Sequence, residues 1–212
     1  MTPKYFKQEK SSTCSLAVLR MALHANGKDI SEKELVSLVE KDYGKNFKNI
    51  WNPTIAKLAC QYGVKTEMFA LWPLFKKDVF LKAFKQYKKD PEKLNINRLE
   101  NPNDKDIFPE PLNLSYKEMF EAAKLGCKVT FGKLTLNRIT KLLVQNYLIQ
   151  TSVKLNKLYP DKKGFHSILI FRIKENEIIY HDPYYGQSLT VSFKKLEESI
   201  EDVGAAIAYR VL

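Results

Sequence analysis

The sequence predicts an α+β protein whose N-terminal half is helical and whose C-terminal part forms an antiparallel β-sheet. Three observations support this prediction. Apolar residues recur at helical spacing between residues 14 and 61, whereas the last third consists of short β-rich runs separated by turn residues. The order, helices first and strands later, is typical of the α+β class. A length of 212 residues is sufficient for one sizeable core, so we expect a single domain over residues 1–212.

The first predicted helix covers residues 14–25. Ser12 or Thr13 supplies its N-cap, and Asn26–Gly27 ends it. Apolar side chains occupy most of its circumference, interrupted only by three polar residues, which are Ser15, Arg20 and His24. We therefore expect this helix to be largely buried, with neighbours on more than one side.

Two more helices and a strand are predicted before residue 71. A capping box of Ser31 and Glu34 opens the second helix. Asn52 caps the third, which carries Pro53 in its first turn. The run 64–70, "VKTEMFA", then has the composition of a short strand.

Residues 72–113 differ in composition from the rest of the chain. They contain one amphipathic helix, "VFLKAFKQY", followed by a proline-rich stretch with few apolar residues. We expect an insertion over 72–113 that lies on the surface beside the functional cleft. A second capping box, Ser115 with Glu118, is predicted to restart the regular structure with a helix that ends at Gly126.

The remaining elements are mostly strands. "CKVTF" is a strand candidate, and 136–145 is a predicted helix. Consecutive strands follow at 147–153, 166–173, 177–182 and 187–193, then a helix at 194–201 and a closing strand within 205–212.

Composition limits the class of partner. The net charge is +11, but 30 of the 35 basic residues are Lys and only 5 are Arg, and they are scattered along the chain. Nucleic-acid recognition depends more on the Arg fork, so we expect a solvated basic surface and no nucleic-acid partner; a role at a polyanion or membrane surface is the alternative. The apolar runs, such as "SILIF" at 167–171, are too short for a membrane span. The first ten residues hold no apolar signal segment, so we expect a cytoplasmic protein, or a secreted one if a signal peptide is removed.

Three cysteines, Cys14, Cys60 and Cys127, lack the spacing of a structural zinc site. We expect no metal and no cofactor, and at least one free thiol. Cys14 is the candidate nucleophile, because a helix N-terminus favours the reactive thiolate through its unpaired N–H groups and its dipole. A single cysteine at a helix start is more often a small buried residue, so the assignment depends on its partners.

A thiolate needs a base, and His166 is the best placed of the three histidines. It opens a strand, whereas His24 lies too far along the helix from Cys14. His166 and Asp182 flank a hairpin that turns near residue 175, so they should lie diagonally on adjacent strands, brought together by sheet twist or a bulge. Strand alternation lets only one of Asp182 and His181 face the site. Asp182 would orient the imidazole.

Gln8 precedes Cys14 by six residues and supplies a side-chain amide. Together with the backbone N–H of Cys14, this amide can donate to an oxyanion. The catalytic set predicted from the residues is therefore Cys14, His166, Asp182 and Gln8.

The pattern resembles a known family. "Q-x5-C-S-L-A-V-L-R-M" is similar to the nucleophile motif of the papain-like leader peptidases that process bacterial double-glycine bacteriocin precursors, and of their stand-alone relatives. "DISEKELVSLV" with "NPTIAKLACQYGVKTEMFA", and "GFHSILIFRIKENEIIYHDPYYGQSLTVSF", resemble the next helices and the His and Asp strands of that family. The similarity covers roughly 1–70 and 126–212. Thr13 and Ser15 stand where the family commonly has Asp and Gly.

The resemblance implies a papain-like fold, in a stand-alone domain, with Cys14 as nucleophile, His166 as general base, Asp182 as orienting residue and Gln8 as oxyanion donor. The expected function is that of a cysteine peptidase acting on a peptide or protein substrate. Two alternatives stay open. One is a peptidyl or acyl transferase or isopeptidase on the same scaffold, because an amine or thiol can replace water. The other is a peptide-binding module without catalysis.

Overall fold

The computed structural model of the chain describes residues 2–44, 47, 50–70, 77–89, 111–200 and 205–212. Its helices are α1 Cys14–Ala25, α2 Glu32–Tyr43, α3 Asn52–Gln61, α4 Lys77–Lys89, α5 Pro111–Lys124, α6 Leu136–Val144, α7 Leu155–Leu158 and α8 Phe193–Ile200. Its strands are β1 Thr66–Ala70, β2 Lys128–Phe131, β3 Tyr147–Lys154, β4 Phe165–Lys174, β5 Glu177–Asp182, β6 Gly186–Ser192 and β7 Ala206–Arg210. The predicted α+β class is confirmed.

The seven strands form one mixed sheet in the order β2-β1-β7-β3-β4-β5-β6. All neighbouring pairs are antiparallel except β1 and β2, which are parallel. The prediction of a C-terminal antiparallel sheet is therefore correct for β3 to β7 and incomplete for the whole. The closing strand β7 lies inside the sheet, between β3 and β1, and pairs with both. Neither edge of β7 is therefore left unpaired.

Helices cover both faces of the sheet. On one face, α1, α2, α3 and α5 bury an apolar cluster that includes Leu19, Leu35, Ile55 and Phe120. On the other face, α6, α7 and α8 cover a second cluster. Helix α1 packs against β4, and seven consecutive or near-consecutive side chains between Leu16 and Leu23 are buried. The prediction that α1 is largely buried is confirmed, and this burial fixes the position of its N-terminus.

The predicted capping box of Ser115 and Glu118 is wrong. Helix α5 begins at Pro111, so Ser115 lies inside it. Glu118 is buried, accepts a hydrogen bond from the Tyr43 hydroxyl at 2.7 Å, and lies 3.1 Å from Lys57 Nζ. Serine and glutamate three residues apart also occur within helices, and here the carboxylate is used by neighbouring helices rather than by a helix start.

Part of the predicted insertion is described. Helix α4 packs through Phe80 against Phe120 and Phe131, with ring centroids 5.1 and 5.2 Å apart. Residues 90–110 lie outside the described residues, so the surface insertion over 72–113 stays a prediction.

In the part of the chain that the structure describes, no helix has the length and apolar character needed to cross a membrane.

Candidate active site

Cys14 is the first residue of α1 and is partly exposed. Thr13 occupies the N-cap position, but its hydroxyl bonds with the backbone of Lys10 and does not cap the helix. The Cys14 sulfur therefore sits at a helix N-terminus whose N–H groups take no side-chain cap, in the positive end of the helix dipole. This is a position that favours a thiolate.

His166 is the second residue of β4, and its Nε2 lies 2.8 Å from Asp182 Oδ1 at the end of β5. The ladder between β4 and β5 shifts between Ile170 and Arg172, which places the two residues diagonally. The predicted diagonal arrangement with a bulge is thus present. Because Asp182 occupies Nε2, Nδ1 is the ring nitrogen left for Cys14.

Asp182 is fully buried and accepts hydrogen bonds at both oxygens. Besides His166, the N–H groups of Tyr184 and Tyr185 donate to Oδ1, each at 2.9 Å. The hydroxyl of Tyr159 donates to Oδ2 at 3.0 Å. Burial alone would raise the pKa of Asp182, but the hydrogen bond and charge of His166, together with these donors, lower it. The carboxylate is therefore held ionised and in one orientation.

The pKa values of Cys14 and His166 shift in opposite directions. Burial of the thiol opposes ionisation, yet the hydrogen bond and positive charge of His166, with help from Ser167, lower the pKa of Cys14. Burial of the ring opposes protonation, yet the hydrogen bonds to Asp182 and Cys14 raise the pKa of His166 to about 9. Each group stabilises the charged form of the other, so the pair favours thiolate and imidazolium.

Gln8 lies in the same cleft, with only 9% of its surface exposed. Its backbone N–H donates to the Pro183 carbonyl at 2.9 Å, which ties the segment before Cys14 to the turn after Asp182. Its Nε2 donates to the Lys10 carbonyl at 2.8 Å, and this bond uses one of two amide hydrogens. The second hydrogen is left for a ligand. The structure thus brings together all four residues that the sequence singled out.

The other two histidines lie elsewhere. His181 is buried on the opposite face of β5, where its Nε2 meets the Pro3 carbonyl at 2.9 Å and its Nδ1 accepts from the Ser188 N–H at 2.9 Å. Burial lowers the pKa of His181, which keeps the ring neutral. His24 contacts the Phe6 ring. Neither imidazole is part of the site.

Cys60 and Cys127 are free and buried in the core. The interaction between the two thiols lowers the pKa of Cys60 and raises that of Cys127. Both lie among the side chains of the cluster under α3 and α5, away from the lining of the cleft.

Two pockets meet at Cys14 and His166. The first, of about 160 Å³, is here called the serine pocket; its lining includes Ser11, Ser12, Ser15, Ser152 and Ser167. The second, of about 190 Å³, is here called the aromatic pocket; its lining includes Gln8, Leu155, Phe165, Tyr184 and Tyr185. The two pockets share Ser11, Cys14, Phe165 and His166, so they adjoin at the sulfur.

Sequence reasoning missed several contributors. Tyr159, which donates to Asp182, lies in the segment between β3 and β4, where no pattern marks a tyrosine as half-buried and paired. Ser15 and Ser167 hydrogen-bond to each other at 2.8 Å and join α1 to β4 beside the sulfur. The Tyr184 and Tyr185 amides come from the turn between β5 and β6, but the residue type does not show which backbone N–H groups donate to a side chain.

Neither a protein-family model nor a curated protein matches this chain.

Proposed function

We propose that the protein is a cysteine peptidase that hydrolyses peptide bonds through Cys14, His166 and Asp182, with Gln8 as oxyanion donor. One observation carries the proposal. The His166–Asp182 pair, joined at 2.8 Å, shares a cleft with a thiol at a helix N-terminus and lowers the pKa of that thiol. A nucleophile, a base in contact with it and a third group that orients the base are the requirements of nucleophilic catalysis on acyl compounds.

In the first chemical step, the Cys14 thiolate attacks the carbonyl carbon of the scissile bond. A C–S bond forms, and the π electrons move to the carbonyl oxygen. The backbone N–H of Cys14 and Nε2 of Gln8 donate to this oxyanion. When the oxyanion collapses, the C–N bond breaks and the leaving amine takes the proton of His166 Nδ1. The products of this step are a free amine, a thioester on Cys14 and a neutral imidazole.

In the second step, His166 Nδ1 accepts a proton from water, and the hydroxide attacks the thioester carbon. The C–S bond breaks, a carboxylic acid leaves, and the thiolate and imidazolium form again. Asp182 stays ionised throughout, because its role is to orient the ring and stabilise its positive charge.

The proposal includes the papain-like fold and the relationship to the double-glycine leader peptidases. It rests on the motif resemblance and on the arrangement of a helix-borne thiol against a sheet-borne His–Asp pair. The substrate is then a peptide or protein segment in extended form. We propose a cytoplasmic location, or a secreted one if a signal peptide is removed.

Digestion of a complex peptide pool in ¹⁸O-water, followed by mass spectrometry, tests this proposal. We expect new C-termini that carry ¹⁸O in the unmodified protein, and none in Cys14→Ala or His166→Ala. His24→Ala is the matched histidine control and should retain the cleavages, because His24 lies outside the site.

Added hydroxylamine separates the alternatives. If acyl groups pass to the amine and no ¹⁸O enters the products, the protein is a transferase. If Cys14 reacts with a thiol probe but no peptide is changed with or without the amine, the peptide-binding module is correct and the proposal falls.

A further inference from the structure

The aromatic pocket has an apolar wall beside the proposed nucleophile. Phe165, Tyr184, Tyr185 and Leu155 line it together with the catalytic groups. Its volume of about 190 Å³ is sufficient for one ring, since an engineered cavity of about 150 Å³ holds benzene. The serine pocket shares Ser11, Cys14, Phe165 and His166 with the aromatic pocket. The two pockets differ in their other lining residues, which are serines and Ile50 in the serine pocket and Gln8, Leu155, Tyr184 and Tyr185 in the aromatic pocket.

Two of these aromatic side chains are unusually exposed. Among the described residues, the large apolar side chains that are exposed are Leu81, Leu125, Val144, Phe165, Tyr184 and Leu212. Phe165 is 66% exposed and Tyr184 is 57% exposed, and both border the pocket that contains Cys14. Scattered exposed apolar residues are ordinary, but two that flank one pocket form a surface that gains free energy when a ligand covers it.

The contacts that position the Asp182 carboxylate also position Tyr184 and Tyr185 in the wall of the pocket. Tyr184 and Tyr185 donate their N–H groups to Asp182. The Tyr185 ring packs on the Tyr159 ring, with centroids 4.1 Å apart, and on the Tyr184 ring at 4.8 Å. A ligand side chain in this pocket would therefore be held at a set position relative to His166, which is the condition for the pocket to affect turnover.

The position of the pocket indicates which part of the substrate enters it. The leaving nitrogen must lie against the imidazole that protonates it. His166 lines both pockets, but Tyr184 and Tyr185 line only the aromatic pocket, and the Tyr185 ring lies 6.2 Å from the imidazole. The residues that line only the serine pocket include Ser15 and Ser167. The residue on the amine side of the scissile bond is thus the one that meets the aromatic wall.

We propose that the aromatic pocket binds a large apolar or aromatic side chain of the substrate residue that directly follows the scissile bond. This inference rests on the proposed function, because it names the specificity of the same site. It predicts that an aromatic or large aliphatic residue after the cut is favoured over glycine or aspartate by about 10-fold or more in kcat/KM, the scale of a filled apolar pocket.

The test is a set of peptides that differ only in the residue after the cleaved bond, assayed with variants of the wall. Tyr184→Ala should reduce the preference toward unity, and it is the decisive variant because Tyr184 lines only the aromatic pocket, whereas Phe165 lines both pockets. Tyr184→Phe should retain it, because the ring remains. Val144→Ala, an exposed apolar residue on α6, is the matched control and should leave the preference unchanged. No preference in the unmodified protein, the same preference in Tyr184→Ala, or a preference confined to the residue before the cut would each overturn the proposal.

A second measurement does not depend on hydrolysis. The rate of Cys14 alkylation by N-benzyl iodoacetamide is divided by the rate with iodoacetamide. We expect this ratio to fall by about 10-fold in Tyr184→Ala and to stay unchanged in Val144→Ala. If no peptide is cleaved but the ratio behaves as expected, the proposed function fails while apolar binding in the pocket stands. An unchanged ratio in Tyr184→Ala rejects apolar binding in the pocket whether or not peptides are cleaved.

Discussion

Asp182 faces His166 because the ladder between β4 and β5 shifts by one residue at Phe171. Without the shift, the register near the turn would pair Asp182 with Leu169. Side chains alternate along a strand, so Asp182 would then lie on the face opposite His166. The bulge exchanges the faces, brings the carboxylate to the imidazole and sends His181 to the other side.

Removal of the Asp182 carboxylate should lower the pKa of His166. Burial already opposes protonation of the ring, and the hydrogen bond and charge of Asp182 raise its pKa to about 9. In Asp182→Ala we expect the imidazole to titrate closer to the ordinary value of about 6.5. The alkaline limb of the kcat/KM profile should move to lower pH by the same amount, because only the protonated ring can supply a proton to the leaving amine.

NMR titration of the His166 ring measures this shift directly, without reference to activity. Asp182→Asn, which keeps the size of the side chain and one acceptor oxygen, should give an intermediate value. A ring that still titrates near 9 in Asp182→Ala would show that Asp182 does not raise its pKa.

Loss of the Gln8 amide should act on the chemical step. Gln8→Ala removes one proposed oxyanion donor, which on general grounds lowers kcat by about 10- to 1000-fold with little change in KM. Gln8→Glu keeps the shape of the side chain but replaces the donor with an acceptor, so it should not restore kcat. Steady-state kinetics of the two variants separate the effect on kcat from the effect on KM. An effect restricted to KM would show that Gln8 binds the ground-state substrate and does not donate to the oxyanion.

His181 should contribute to stability and leave reactivity at Cys14 unchanged. His181→Ala leaves the buried Pro3 carbonyl without its partner, a loss of about 1–3 kcal/mol, whereas the N–H of the exposed Ser188 can bond with water instead. Urea denaturation should show this loss. The pH profile of Cys14 alkylation, measured where the variant is folded, should match that of the unmodified protein; a shifted profile would place His181 in the site.

The sequence was sufficient for the local features of the site. The apolar circumference of α1 predicts a buried helix, and burial fixes where Cys14 points. The hairpin spacing predicts that His166 and Asp182 lie near the same end of adjacent strands, but regular strand geometry alone does not bring their side chains to the same face. The position of the bulge was not predictable, since a shift of one residue depends on packing around Phe171 and not on its identity.

Contacts between residues that are far apart in the chain could not be predicted from local sequence patterns. The pairing of β1 with β7 and β2 joins strands that are far apart in the chain, and no local pattern encodes such a partner. The Ser115–Glu118 motif led to a wrong prediction because serine and glutamate have the same spacing at a helix start and inside a helix. The actual partner of Glu118 is Lys57, which is distant in sequence, so the motif alone does not reveal it. Tyr159 was missed because its partner, Asp182, is likewise distant in sequence.

The pH dependence of Cys14 alkylation by a small haloacetamide reports directly on whether Cys14 and His166 form a thiolate–imidazolium pair. A thiolate stabilised by an imidazolium should form well below the ordinary cysteine pKa of about 8.5, because the interactions with His166 outweigh burial and lower the pKa of Cys14. We therefore expect fast alkylation at mildly acidic pH. Cys60 and Cys127 serve as internal controls and should stay unreactive in the folded protein because they are buried.

In His166→Ala the reactivity on the acid side should disappear, and the profile should move toward that of an ordinary thiol. We expect both profiles if His166 stabilises the Cys14 thiolate. If Cys14 of the unmodified protein reacts only as the pH rises past about 8, or if the His166→Ala profile is unchanged, there is no thiolate–imidazolium pair and the peptidase proposal is wrong.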